Sequence, residues 1–265
     1  MTITELRERL EALAEPRFQA FAASLIPGVQ NLLGVRLPLL RKLAKEIARH
    51  HRELIFHEPS PPQSMEECLL RGMLPGYADK SVSCEQRLAE IAQFVPFITN
   101  WSICDSCCAT YTFVRENRPV VWVFLLPYLQ SEQEYEARFG LVMLLNHFIQ
   151  DIYWAEKIVK LLPQLPCKGY YAEMAAAWLL CEMHFKYPRV VKDLLSVNSA
   201  LNSTIRMRDS EKSENRRKKS YELDIARACV IMRPWIINNT HPLLLARQKR
   251  LPITCGHTST RYTLG

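Results

Sequence analysis

Apolar residues recur at intervals of three and four along Leu39 to Ile47, Cys68 to Met73, Leu88 to Phe94, Trp101 to Val114, Val120 to Leu129, Ala137 to Phe148, Trp154 to Leu162 and Met174 to Met183. That is the period of helices that bury one face. Breakers separate them: Pro27, Pro38, Pro61-Pro62, Pro75-Gly76, Pro96, Pro119, Pro163, Pro166 and Pro188. Start signals agree, with capping-box forms at Ser64-Met65-Glu66-Glu67 and Ser131-Glu132-Gln133-Glu134 and a first-turn proline in Arg118-Pro119-Val120. No alternating run of β-branched residues is bounded by Asn-Gly or Asp-Gly. The pattern predicts an all-α chain, and helix pairs spaced roughly 35 to 40 residues apart predict a curved solenoid of antiparallel helix pairs.

The pattern changes near Met207, where DSEKSENRRKKSYELD is rich in charge and poor in apolar residues. The chain therefore divides into a helical domain, residues 1–209, and a basic, poorly ordered or atypical tail, residues 210–265. Net charge is +7, yet 13 of the 34 basic and only 5 of the 27 acidic residues lie from Arg206 onward. The 21 basic and 22 acidic residues before it nearly cancel, so an anion-binding surface in the body requires charge segregated onto one face. Arg36, Arg41, Lys42 and Lys45 offer such a strip, although the same residues also suit a solvated helix face.

With 48% hydrophobic residues and no apolar run near the roughly 20 residues of a membrane span, the expectation is a soluble protein without a membrane partner. MTITELRERLEALAEP lacks the basic and apolar regions of a secretory signal, which points to the cytoplasm. The 9 cysteines, odd in number and irregular in spacing, read as reduced thiols.

Three of those cysteines stand in TNWSICDSCC, residues 99–108. Structural zinc needs four ligands, and no second cysteine pair or histidine lies nearby; a thioredoxin-like site needs a strand before the helix. Packing of small thiols between helices is the better account, and no metal or cofactor is expected. Trp101 and Asp105, four apart, share a helix face. An exposed Asp beside a half-buried Trp explains them equally well in isolation. Arg138, however, stands 33 residues beyond Asp105 in EARFGLVMLL, and Trp178 another 40 beyond in YAEMAAAWLL. Positions one repeat apart line one surface of a solenoid. Two indoles, a carboxylate and a guanidinium on one groove suit a cationic, sugar-containing anion: indoles pack on sugar and attract positive charge, Arg forks a phosphate, and a carboxylate steadies an oxocarbenium-like centre.

The chain resembles the AlkD-like DNA alkylation repair proteins, the HEAT-like repeat DNA glycosylases, through Leu33-Gly34-Val35-Arg36-Leu37-Pro38-Leu39-Leu40-Arg41-Lys42-Leu43, Arg71-Gly72-Met73-Leu74-Pro75-Gly76-Tyr77, Asn100-Trp101-Ser102 with Asp105, Arg138-Phe139-Gly140-Leu141 and Ala175-Ala176-Ala177-Trp178-Leu179-Leu180. The likeness spans about residues 15 to 209, and the sequence beyond Ser210 departs from it. The resemblance implies HEAT-like or ARM-like helix pairs whose concave face grips duplex DNA. It also implies hydrolysis of the N-glycosidic bond of N3- or N7-alkylated purines without base flipping. Carried over, Trp101 and Trp178 lie against the sugar, Asp105 is the catalytic carboxylate and Arg138 touches a phosphate. No lysine stands out as a Schiff-base nucleophile, so a monofunctional, monomeric base-excision glycosylase acting at the nucleoid is expected. A non-catalytic binder of DNA structures and a scaffold for a protein partner are the competing readings.

Overall fold

The computed structural model describes residues 1–53 and 60–191, and every described element is helical. The basic tail and the domain boundary at 209/210 lie outside the described residues. Ten α-helices fall wholly within them: α1 (Ile3–Ala12), α2 (Pro16–Leu25), α3 (Leu37–His50), α4 (Met65–Tyr77), α5 (Cys84–Phe94), α6 (Trp101–Cys108), α7 (Arg118–Leu129), α8 (Glu134–His147), α9 (Ile152–Leu161) and α10 (Tyr170–Lys186). None is long and apolar enough to cross a membrane.

Helices α3, α4, α6, α8 and α10 form a row in which each packs on the next, while α5 leans on α4 and α7 on α8. The row is the core. Leu40, Leu43, Ile47, Leu70, Met73, Leu74, Ile103, Phe139, Leu141 and Leu179 are all essentially buried within it. Glycines let the row close up. A Cβ on Gly72 would run into the Cys107 sulfur and the Phe94 ring, and one on Gly140 would meet the Leu129 side chain. Tyr111 also ties α4 down, its hydroxyl donating to the Gly72 carbonyl at 2.6 Å.

Several helix ends differ from the periodicity. The run from Trp101 to Val114 is not one helix: α6 stops at Cys108 and a 3₁₀ turn, Thr112–Glu116, follows. The Thr110 hydroxyl donates to the Cys107 carbonyl, offering the backbone an alternative to the next helical bond. At Pro75-Gly76, by contrast, α4 continues to Tyr77. Buried Arg87 there donates to the Pro75, Ala78 and Asp79 carbonyls, satisfying oxygens that the helix end leaves open. Ser64 caps α4 by accepting from the Glu67 amide, but the reciprocal half of the predicted box is replaced, the Glu67 carboxylate accepting the Gln63 amide. Ser131 does not cap α8, which starts at Glu134 behind Gln133; its hydroxyl donates instead to Glu136.

Candidate active site

Asn100 starts α6 by accepting the Ile103 amide at 3.0 Å, which fixes Trp101 in the first turn and Asp105 one turn later on the same face. The opposite side of α6 is apolar: Ile103, Cys104, Cys107 and Cys108 are buried. The cysteines of TNWSICDSCC therefore turn inward. Burial pushes the Cys107 and Cys108 thiols well above their ordinary range, and the Cys68 thiol up to about 12. These are packing groups rather than thiolates, and among the described residues no cluster of three or more His, Cys, Asp or Glu could hold a metal ion.

Asp105 does not stand alone. Arg138, from the first half of α8, forks it: Nε lies 3.0 Å from Oδ1 and Nη2 2.7 Å from Oδ2. The third guanidinium nitrogen, Nη1, donates to the Tyr171 carbonyl at 2.7 Å. The Arg138 side chain is 3% exposed and that of Asp105 11% exposed. Burial raises the Asp105 pKa above the usual carboxylate value, and Arg138 opposes but does not cancel that rise. For Arg138, burial works against the charge, yet the carboxylate more than offsets it and the guanidinium is held more firmly protonated.

Trp178 comes from α10, where Ala172, Ala175 and Ala176 present so little bulk that the helix packs closely on α8. Trp101, Asp105 and Trp178 line one cavity of about 130 Å³, with Ser102, Ser106 and Asn146 among the polar groups beside them. Its far wall is apolar: Phe18, Phe21, Ala22 and Leu25 of α2, with Leu37 and Leu40 of α3. Helix α2 buries no residue fully and leaves Phe21 59% exposed. The chain thus brings a carboxylate and two indoles together at one opening, with the guanidinium behind the carboxylate.

The predicted basic strip is less uniform. Arg36 is held by the Glu15 carboxylate at 2.8 Å and lies over the Phe18 ring. Arg41 is half-buried, close enough to Tyr77 and Cys107 to act on both electrostatically. Lys42 and Lys45 are exposed on α3, with the Lys45 ammonium over the Tyr77 ring.

Two features escape the sequence reading. The α2 wall is one, although the spacing Phe18, Phe21, Ala22, Leu25 is helical and could have marked it. The other is a pair of neighbouring buried carboxylates. Glu66 accepts the Leu33, Gly34 and Val35 amides at 2.7 to 3.1 Å. Glu67 receives Arg7, Arg71 and the Gln63 amide. Gly34 arrives with φ +93°, and a Cβ there would strike Gln19, so the loop that offers its amides to Glu66 requires glycine.

A family model described as DNA alkylation repair enzyme matches residues 6–212. No curated protein and no solved structure matches the chain.

Proposed function

The chain belongs to the DNA alkylation repair enzyme family, and we propose that it is a monofunctional glycosylase that hydrolyses the N-glycosidic bond of cationic N3- or N7-alkylated purines in duplex DNA. DNA is the partner that the family implies; the reaction is read from the site. The observation that carries it is the buried carboxylate of Asp105 at a cavity flanked by Trp101 and Trp178.

An alkylated purine already carries positive charge, so the C1′–N bond breaks with its electron pair passing to the purine. Positive charge then grows on the deoxyribose. Asp105, ionised in a poorly solvated site, steadies that charge and orients the water that adds to C1′ and releases its proton to solvent, while the indoles hold the sugar by packing and cation–π attraction. Arg138, with its forked nitrogens on Asp105 and its third on the Tyr171 carbonyl, holds the carboxylate in register, and the phosphate contact that the resemblance implies would require this ion pair to open.

The reading without base flipping places the deoxyribose, rather than the base, at the cavity where Trp101, Asp105 and Trp178 meet. The inner row with its flanking helices supports a HEAT-like stack of antiparallel pairs, with α3 and its Arg36, Arg41, Lys42 and Lys45 as a backbone-contacting edge. A second reading, a non-catalytic binder of DNA structure, draws on the same ion pair, because Arg138 engages both oxygens of Asp105.

The test is release of 7-methylguanine from methylated duplex, with the product strand assayed for abasic sites and for borohydride trapping. Base release leaving intact abasic strands and no trapped protein supports the proposal. Tight duplex binding without release selects the binder, and a trapped adduct contradicts the monofunctional mechanism.

A further inference from the structure

The residues behind the site form a second set of contacts that the proposed chemistry does not use. Glu134 and Arg138 are four apart on α8 and so share a face. Both reach the same residue of α10: the Tyr171 amide donates to Glu134 Oε1 at 2.6 Å, and the Tyr171 carbonyl accepts from Arg138 Nη1 at 2.7 Å. One peptide residue is thereby gripped at its donor and its acceptor by two side chains of the neighbouring helix. The Tyr135 and Tyr171 rings stack beside this grip with centroids 5.7 Å apart.

The approach of the chain fits the same arrangement. Helix α10 has no side-chain cap of its own, since Gly169 occupies the position before it. Glu134 supplies the missing acceptor from another helix. Gly169 turns in with φ +96°, and a Cβ there would lie 2.6 Å from the Glu134 carboxyl carbon, so the loop is shaped to let that carboxylate in. Tyr171 and Trp178 are seven residues apart, two turns and about 10 Å along one face of α10. Whatever fixes Tyr171 therefore fixes the height of Trp178 relative to Asp105, which Arg138 holds from the other end of the same contact.

We infer that Glu134 is a positioning residue: by capping α10 through the Tyr171 amide it sets Trp178 against the Asp105–Arg138 pair. The inference rests on the glycosylase reading. It assigns Glu134 no contact with DNA, and because duplex affinity rests mainly on phosphate contacts away from Trp178, its removal acts on turnover far more than on affinity.

The experiment compares wild type, Glu134→Ala, Glu134→Asp and Glu134→Gln for single-turnover release of 7-methylguanine, duplex Kd and thermal midpoint. Glutamine keeps an acceptor oxygen at the same reach, whereas aspartate keeps the charge but falls short. The expected result is about a tenfold fall in the release rate for Ala and Asp, Gln within about threefold of wild type, and Kd unchanged within about twofold in all. Should the alanine variant not fold, the Asp–Gln pair decides. Equal rates in all four proteins, or losses of rate that follow losses of Kd or folding, would overturn the inference. A wild type that releases no base removes the glycosylase reading itself, and that failure is recognised before any variant is measured.

Discussion

Two sets of buried carboxylates border the same cleft and differ in what surrounds them. Glu66 and Glu67, on α4, are sheathed by hydrogen bonds: three amides for one, two arginines and an amide for the other. Asp105, on α6, has one arginine, two indoles nearby and an open cavity in front of it. Burial and charge are common to both, so neither marks a site. What separates them is access: the Asp105 side chain keeps 11% exposure towards the cavity, whereas Glu66 and Glu67 are 1% and 0% exposed.

The comparison is most strongly broken by removing Arg138. Arg138→Ala leaves the Asp105 carboxylate buried without its counter-ion, which costs about 3–5 kcal/mol. Urea unfolding at pH 7 is expected to show a large fall in midpoint, and a milder loss at pH 5, where the orphaned carboxyl takes up a proton more readily. An unchanged midpoint would mean that the pair lies in solvent.

A buried histidine gives a control for pH effects. His147 is 1% exposed, its Nε2 2.8 Å from the Cys108 carbonyl, and burial holds its pKa down to about 4 against an ordinary 6.5. Between those values the unfolded chain binds a proton that the folded chain does not, so stability falls as pH drops from 6.5 towards 4. The full difference is about 3 kcal/mol, retained above pH 6.5. His147→Gln should flatten that slope in urea titrations. The Asp105 shift has the opposite direction: under the proposed mechanism excision needs the carboxylate ionised, so its raised pKa predicts loss of activity on the acid side at a pH above the ordinary Asp range. A single-turnover pH profile that stays flat down to that range would contradict this.

Glu66→Gln sharpens the contrast. It keeps the shape but weakens the bonds to the Leu33–Val35 amides, at a cost of about 1–3 kcal/mol in stability, with excision per folded molecule unchanged. The smallest effect is expected at the proposed DNA edge, where Lys42→Ala should lower the slope of log Kd against log salt by about one and leave the release rate alone.

The helical periodicity was most legible in α3, which buries Leu40, Leu43, Ala44, Ile47 and Ala48 on one face, and less so in α4 and α8, which are buried nearly all round; spacing brought Asp105, Arg138 and Trp178 into one proposal. Their actual grouping needed the structure, since 33 and 40 residues of separation say nothing of a forked ion pair. Glu134 was misread for a physical reason. Its place three residues after Ser131 has the form of a local cap, but its carboxylate serves the Tyr171 amide on another helix. The α6 boundary was missed similarly, because Tyr111 and Thr110 are drawn into contacts that periodicity does not encode. The basic tail lies outside the described residues.

The most direct test sets the two carboxylates against each other: single-turnover release of 7-methylguanine by Asp105→Asn and by Glu66→Gln, each with duplex Kd measured on the same preparation. The account predicts a fall of roughly 10²-fold or more for Asp105→Asn with Kd kept, and wild-type release for folded Glu66→Gln. Release by Asp105→Asn at the wild-type rate, or an equal loss in both variants, would contradict the claim that Asp105, rather than Glu66 on the same cavity, does the chemistry.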